Sequence, residues 1–205
     1  MRLTAIGSTH GLPVGSVMRA GAVLILLGVA SVARADQFDV ALRAYMQSDH
    51  ATALRLIGPL ANQGDTRAQV LLGNMYRDGN GVQQSDAEAF KWYLMAANKN
   101  DPQAQYLCGN GFFQKGDTAE ALKWYWKSAE QGYGPAQFEL GNFYEKGFAV
   151  PQNFILAYMR YTLAALEEPK TYQAPVKERL EAITPHLAPS QIAEAQKLAR
   201  DWRAK

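Results

Sequence analysis

Three histidines, one cysteine and one glutamate pair are where chemistry could begin in this chain. His10 lies near the N-terminus, while His50 and His186 stand far apart, close to opposite ends of the rest. Neither zinc-ligand spacing nor a nucleophile and base can be assembled from them. Cys108 has no neighbouring His or basic cluster to lower its pKa, and a lone cysteine allows no internal disulfide. Glu167-Glu168 adjoin Pro169 and read as a solvated edge rather than a positioned acid and base. No glycine is followed by the Lys-Ser/Thr of a phosphate-cradling loop. The expectation is no catalytic residue, no bound metal and no cofactor.

Binding candidates recur instead. Asn74, Asn110 and Asn142 each follow a glycine, and Val70, Tyr106 and Phe138 each precede that glycine by three residues. At about 100° per residue, Arg67, Val70, Asn74 and Arg77 fall opposite the arc of Ala68, Leu72 and Met75. Stacked copies would turn these positions into an asparagine row beside an apolar row. A carboxamide offers both donor and acceptor to an extended chain's amides, and the apolar row would take alternate side chains. The rival reading makes them solvated helix positions, or makes each Asn a bond to a neighbouring repeat. Trp126, two residues beyond Trp124 and off the core arc, is the expected exposed tryptophan and the basis of a glycan-binding alternative together with Tyr106 and Phe138.

The elements that position these residues come from a repeat. Ala53, Ala89, Ala121 and Ala157 open similar segments at steps of 36, 32 and 36 residues. Arg-Ala-Gln-Val-Leu-Leu-Gly-Asn (67–74), Gln-Ala-Gln-Tyr-Leu-Cys-Gly-Asn (103–110) and Pro-Ala-Gln-Phe-Glu-Leu-Gly-Asn (135–142) recur between them. A period of this length implies a stacked α-solenoid. Each unit reads as two amphipathic helices, a glycine helix followed by a tryptophan helix. Gly73, Gly109 and Gly141 lie mid-helix, where each costs about 1 kcal/mol relative to Ala, so close approach of the partner helix's backbone is expected there. Gly64, Asn100 and Gly132 mark the turns between units, as residues that tolerate a left-handed cap. The shorter connection Lys115-Gly116-Asp117-Thr118 explains the 32-residue step, and a second tryptophan helix shorter by about one turn is expected. Cys108, in register with Leu72 and Leu140, reads as a buried hydrophobe. Helices from about Val176 to Ile183 and from Pro189 to about Trp202 would cap the array, burying Ile192, Ala195 and Leu198.

The pattern carried by Ala89, Trp92, Tyr93, Ala96, Ala97, Ala104, Gln105, Leu107 and Gly109 and their equivalents resembles the Sel-one-like repeat (SLR) family, a branch of the tetratricopeptide-like α-solenoids. Leu56-Ile57, Cys108, Phe113 and Arg160 depart from it. The resemblance implies an all-α, right-handed solenoid of antiparallel helix pairs whose first helices line a concave groove. It implies asparagines there that hold a peptide backbone, which gives Asn74, Asn110 and Asn142 that role with Val70, Tyr106, Phe138, Arg67 and Arg77 around them. It also implies an adaptor that binds a protein or extended peptide segment, exported members being linked to envelope signalling, cell-wall processes and host contact. A cysteine-rich subgroup is associated with penicillin binding and β-lactam hydrolysis. This chain lacks the paired cysteines, so a cell-wall or β-lactam hydrolase remains the alternative only.

Residues 1–35 contain no Asp or Glu, and the apolar run Ala20 to Val32 lies between Arg19 and Ala33-Arg34-Ala35, the order of a secretory signal. Met18, just ahead of that run, is a candidate start, and a retained anchor helix is the rival reading. Without Arg2, Arg19 and Arg34 the 21 basic residues fall to 18 against 19 acidic ones, a formal charge of −1. Near-neutrality removes the electrostatic case for nucleic acid. The expected organisation is a signal at 1–35, a repeat array at 36–165 and capping helices at 166–205, in a periplasmic or secreted protein without a stable membrane span after cleavage.

Overall fold

The computed structural model describes residues 37–166 and 173–203, which form α-helices and one short 3-10 turn, with no strand among the described residues. The expected signal segment, His10, Glu167 and Glu168 lie outside them. The helices are α1 (37–46), α2 (His50–Asn62), α3 (Thr66–Asp78), α4 (Asp86–Ala97), α5 (Pro102–Gln114), α6 (Thr118–Glu130), α7 (Gly134–Lys146), α8 (Phe154–Leu166), α9 (Gln173–Ile183) and α10 (Pro189–Arg203). From α2 to α9 each helix packs on its successor, and α10 folds back onto α8. Three glycine-tryptophan pairs, α3–α4, α5–α6 and α7–α8, make up the array.

Local sequence sets the helix starts. Asp49, Asp65, Ser85, Asp101 and Asp117 each accept a hydrogen bond at 2.8–3.2 Å from the backbone N–H three residues on, which satisfies a donor the first turn would otherwise leave unpaired. Gly64, Asn100 and Gly132 take φ of +87°, +66° and +81°, the left-handed conformation expected at the turn between units. The 32-residue step has a different origin from the one expected. Helix α6 has 13 residues against 12 in α4 and 13 in α8, so it has lost no turn. The four missing residues come from the connection, which is 79–85 in the first unit, 147–153 in the third and only 115–117 in the second.

The core is a continuous seam. Ala53, Ala89, Ala121 and Ala157 are buried, each beside the large ring or aliphatic side chain four residues on, Ile57, Tyr93, Tyr125 or Tyr161. Trp92 and Trp124 are half-buried against the clusters on either side. At the C-terminal end, Val176 and Ile183 of α9 join Ala157, Tyr161 and Ala164, and Ala195 and Ala199 of α10 close on Met159 and Leu163. Ala195 is buried as expected, whereas Ile192, Leu198 and Trp202 are half-buried, because the small residues let α10 lie closest to α8.

Candidate binding surface of the glycine helices

The mid-helix glycines admit a side chain, and at Gly73 the partner helix's backbone as well, where a Cβ would lie 3.2 Å from the Ala89 carbonyl oxygen. A Cβ at Gly73, Gly109 or Gly141 would lie 2.4, 2.5 or 2.4 Å from Cε1 of Tyr93, Tyr125 or Tyr161. Each ring therefore occupies the volume that any larger residue would claim. Its hydroxyl reaches past the glycine and donates at 2.8 Å to Oδ1 of the next residue, Asn74, Asn110 or Asn142. Three repeats thus carry the same lock, in which Gly receives the ring and Asn receives the hydroxyl.

This lock corrects the expected surface. The three asparagines are half-buried, and each oxygen already accepts from tyrosine. Asn142 also donates to Glu139 at 3.0 Å. Beside them, the expected apolar row is packing surface. Val70 is buried with Ala104 and Cys108, Tyr106 lies against Tyr125 and Tyr133, and Phe138 lies 5.4 Å from Tyr161, centroid to centroid. A glycine helix meets the following glycine helix as well as the tryptophan helices, so the arc opposite one core face is another core face. Arg67 and Arg77 are exposed as expected; the first sits 4.3 Å above the Phe38 ring, and the second pairs with Asp78 at 2.8 Å. Trp126 is also reassigned. It is half-buried in the seam, with the Arg160 guanidinium 4.2 Å above its ring.

Sequence reasoning passed over the glutamines of the Ala-Gln pairs. Gln69, Gln105 and Gln137 are buried, and their Nε2 atoms donate to the carbonyls of Ala61, Ala97 and Ala129 at 3.0, 3.4 and 2.8 Å. Each adds a second donor to a carbonyl at the end of the preceding helix that already accepts from the backbone N–H of Gly64, Asn100 or Gly132. Arg160, at the position of Trp92 and Trp124, donates to Gln137 Oε1 at 2.8 Å, and burial pushes its guanidinium down to about 10. Their recurrence in three copies was the available signal.

On α5 and α7, two titratable groups are shifted by burial. Burial pushes the Cys108 thiol up to about 12, an unreactive state. Glu139 stands where the other units have Leu71 and Leu107, and burial raises its carboxyl above the ordinary glutamate value despite the bond from Asn142. Nearby, Glu145 competes with Asn142 for the single Tyr161 O–H, at 2.5 Å, and lies 3.7 Å from Arg179 of α9. His50 packs on Tyr45, and His186 stacks on Phe154 with centroids 4.8 Å apart. Among the described residues no group of three or more His, Cys, Asp or Glu is arranged for a metal ion, and no helix is long and apolar enough to cross a membrane.

An open pocket of about 370 Å³ lies between the first and second units, where α4 meets α5 and the short connection after it. Ala87, Ala89 and Phe90 from the start of α4, with Leu107 and Gly111 of α5, form its apolar wall. Arg77, Asp86, Asn110, Gln114 and Lys115 supply polar groups, with the Lys115 ammonium 4.4 Å above the Phe90 ring.

The Sel1 repeat family profile matches residues 66–101, 103–133 and 134–167, the three glycine-tryptophan pairs. This is a Sel1-like repeat protein. Its fold is similar to a Sel1 repeat protein from Oxalobacter formigenes, with a TM-score of 0.59 and 28% identity over 68% of this chain and 59% of that one. It is also similar to a protective antigen of uropathogenic Escherichia coli strains that displays an SLR fold, with a TM-score of 0.60 and 32% identity over 71% of this chain and 33% of the antigen. A curated relative, the exopolysaccharide production negative regulator of Rhizobium leguminosarum bv. viciae, is 35% identical over 79 residues. That match covers 38% of this chain and 28% of the regulator. The Sel1-like chain therefore spans well under two thirds of that relative and of both structures.

Proposed function

We propose that this Sel1-like repeat protein is a non-catalytic adaptor of the cell envelope that holds an extended polypeptide along its glycine helices. The supporting observation is the register of α3, α5 and α7, which sets equivalent side chains side by side over three units. With the asparagine oxygens held by tyrosine, the donors of Asn74 and Asn110 and the exposed Arg67, Arg77 and Gln103 supply the recognition. A regulatory role is in keeping with the name of the Rhizobium relative, and export is in keeping with the acid-free, apolar leader. The hydrolase alternative finds its nearest groups in Glu139 and Glu145, whose partners Asn142, Tyr161 and Arg179 consolidate α7 against α8 and α9.

The test places photoreactive residues at 77 and 103 on the glycine helices and at 123 on α6, in intact cells. Adducts to one polypeptide at 77 and 103 but not at 123 are expected. Asn74→Asp combined with Asn110→Asp keeps an oxygen for each tyrosine and removes the donors, so the adducts should fall by about tenfold while the melting temperature holds. Equal adducts at all three positions would remove the reading.

A further inference from the structure

The pocket beside α4 opens where the second unit departs from its neighbours in two independent ways. In the first unit, Met75 fills the corresponding space from the glycine helix and Val82 fills it from the loop, both packing in the cluster that contains Ala53 and Leu54. That loop rests on the start of α2, where a Cβ at Gly81 would lie 3.0 Å from the Cβ of His50. It is tied down by Gln84 Nε2, which donates to the Arg77 carbonyl at 2.8 Å, and by the Ser85 N–H, which donates to the Tyr76 carbonyl at 2.9 Å. The third unit repeats the arrangement with Phe143, Val150, Gln152 donating to the Glu145 carbonyl at 2.8 Å, and the Asn153 N–H donating to Tyr144 at 2.8 Å.

In the second unit, Gly111 stands where the others have Met75 and Phe143, and the Phe90 ring takes the volume of the missing side chain, since a Cβ at Gly111 would lie 2.8 Å from its Cδ2; the connection is four residues shorter, with no counterpart of Val82 or Gln84 to cover that ring. The pocket wall consists of the residues such a loop would cover. In register, Asp86 corresponds to His50, Phe90 to Leu54 and Leu107 to Leu71. At about 370 Å³ it has the volume of a small ligand site. Asp86 against Arg77 and Lys115 gives a rim of mixed sign with no strong preference for a highly charged ligand.

We infer that this pocket binds an extended peptide segment of a partner, which enters in place of the missing loop. The neighbouring units show its chemistry. A branched aliphatic side chain covers the Phe90 ring beside Gly111, as Val82 and Val150 cover the equivalent clusters, and a glutamine two residues later donates to the Phe113 carbonyl, the counterpart of those of Arg77 and Glu145. That carbonyl accepts from the Gly116 N–H at 2.9 Å and keeps a second lone pair. The inference deepens the adaptor reading by giving the bound polypeptide a sequence preference and an anchor point at the second unit.

The probe is a capped peptide with the sequence of residues 79–85, Gly-Asn-Gly-Val-Gln-Gln-Ser, titrated into the purified protein and followed by the amide resonances of Phe90, Gly111 and Gln114. Saturable shifts at these three are expected, with binding weakened at least about tenfold when the peptide's Val is replaced by Asp. Gly111→Met should weaken it similarly, as should insertion of Gly-Val-Gln-Gln after Gly116, which rebuilds the loop in cis; either variant serves if the other fails to fold. No saturable shift, equal binding of the Asp peptide, or unchanged binding to a folded, filled variant would overturn the inference. Shifts at residues outside the pocket would do so as well. Crosslinking at 103, which lies outside the pocket, could still succeed after such a failure, so the pocket and the adaptor reading can fail separately.

Discussion

The second unit and its neighbours share one seam and differ at one edge. Tyr93, Tyr125 and Tyr161 sit on their glycines and reach their asparagines with the same 2.8 Å geometry in all three units. At the end of the glycine helix, by contrast, two units carry a large apolar residue under a seven-residue loop, while the second has Gly111 and three linking residues. The seam must match in every copy because each unit packs on the next. The loop covers only its own corner, so shortening it leaves the stack intact. Variation at no cost to stacking is where a repeat protein can acquire a specific site.

The comparison breaks first if the apolar plugs turn out to be dispensable. Phe143→Ala should cost roughly 3–5 kcal/mol in urea unfolding, because it removes a buried ring and leaves a cavity; a cost below about 1 kcal/mol would mean that this corner collapses readily and that Gly111 does not account for the pocket. The sameness of the seam is tested next. Gly109→Ala and Gly141→Ala should each lose roughly 1–3 kcal/mol by forcing a ring aside, with similar falls in melting temperature, and a tolerated Ala at one site would show that the locks differ.

Smaller effects sharpen the contrast. Tyr93→Phe and Tyr125→Phe should each cost about 1 kcal/mol, through the lost bond to asparagine, and should agree with each other. Glu139→Gln probes the third unit's own departure. Because the folded protein raises this carboxyl above 4.5, its contribution is favourable below that pH and is lost as pH rises through the folded value. The variant should match the parent near pH 4 and become the more stable of the two by pH 7. A constant difference across that range would rule out titration of Glu139 as the cause.

The period, the helix pairing, the left-handed turns and the burial of Cys108 were legible because each depends on residues close together within one unit, seen several times over. The expected apolar row is interior for a geometric reason. A helical wheel gives one helix one inside and one outside, but α3 packs on α2 and α4 and Val70 joins Ala104 and Cys108 of α5 in one buried cluster, so Val70 is interior on the side taken as solvent. The lost turn was assigned to α6 because Asp117 was read as loop and not as the cap that accepts from Glu120 N–H. Trp126 was read as exposed because its cover, Arg160, comes from the next unit. The pocket required two absences to be seen together, a side chain missing at 111 and a loop missing after 114, and a search for shared motifs passes over both.

The buried glutamines carry a consequence for how such a chain can change over time. Gln69, Gln105 and Gln137 each serve a carbonyl of the unit before their own, so a copied or deleted unit arrives or leaves with one donor and one acceptor. Recombination between units therefore keeps this donor and acceptor matched across the junction. Length can change by whole units with the pairing preserved. Arg160, bonded to the last of these glutamines and lying between Trp126 and Trp202, stands where Trp92 and Trp124 pack in the earlier units, so the last unit of the run bears a different side chain at that place.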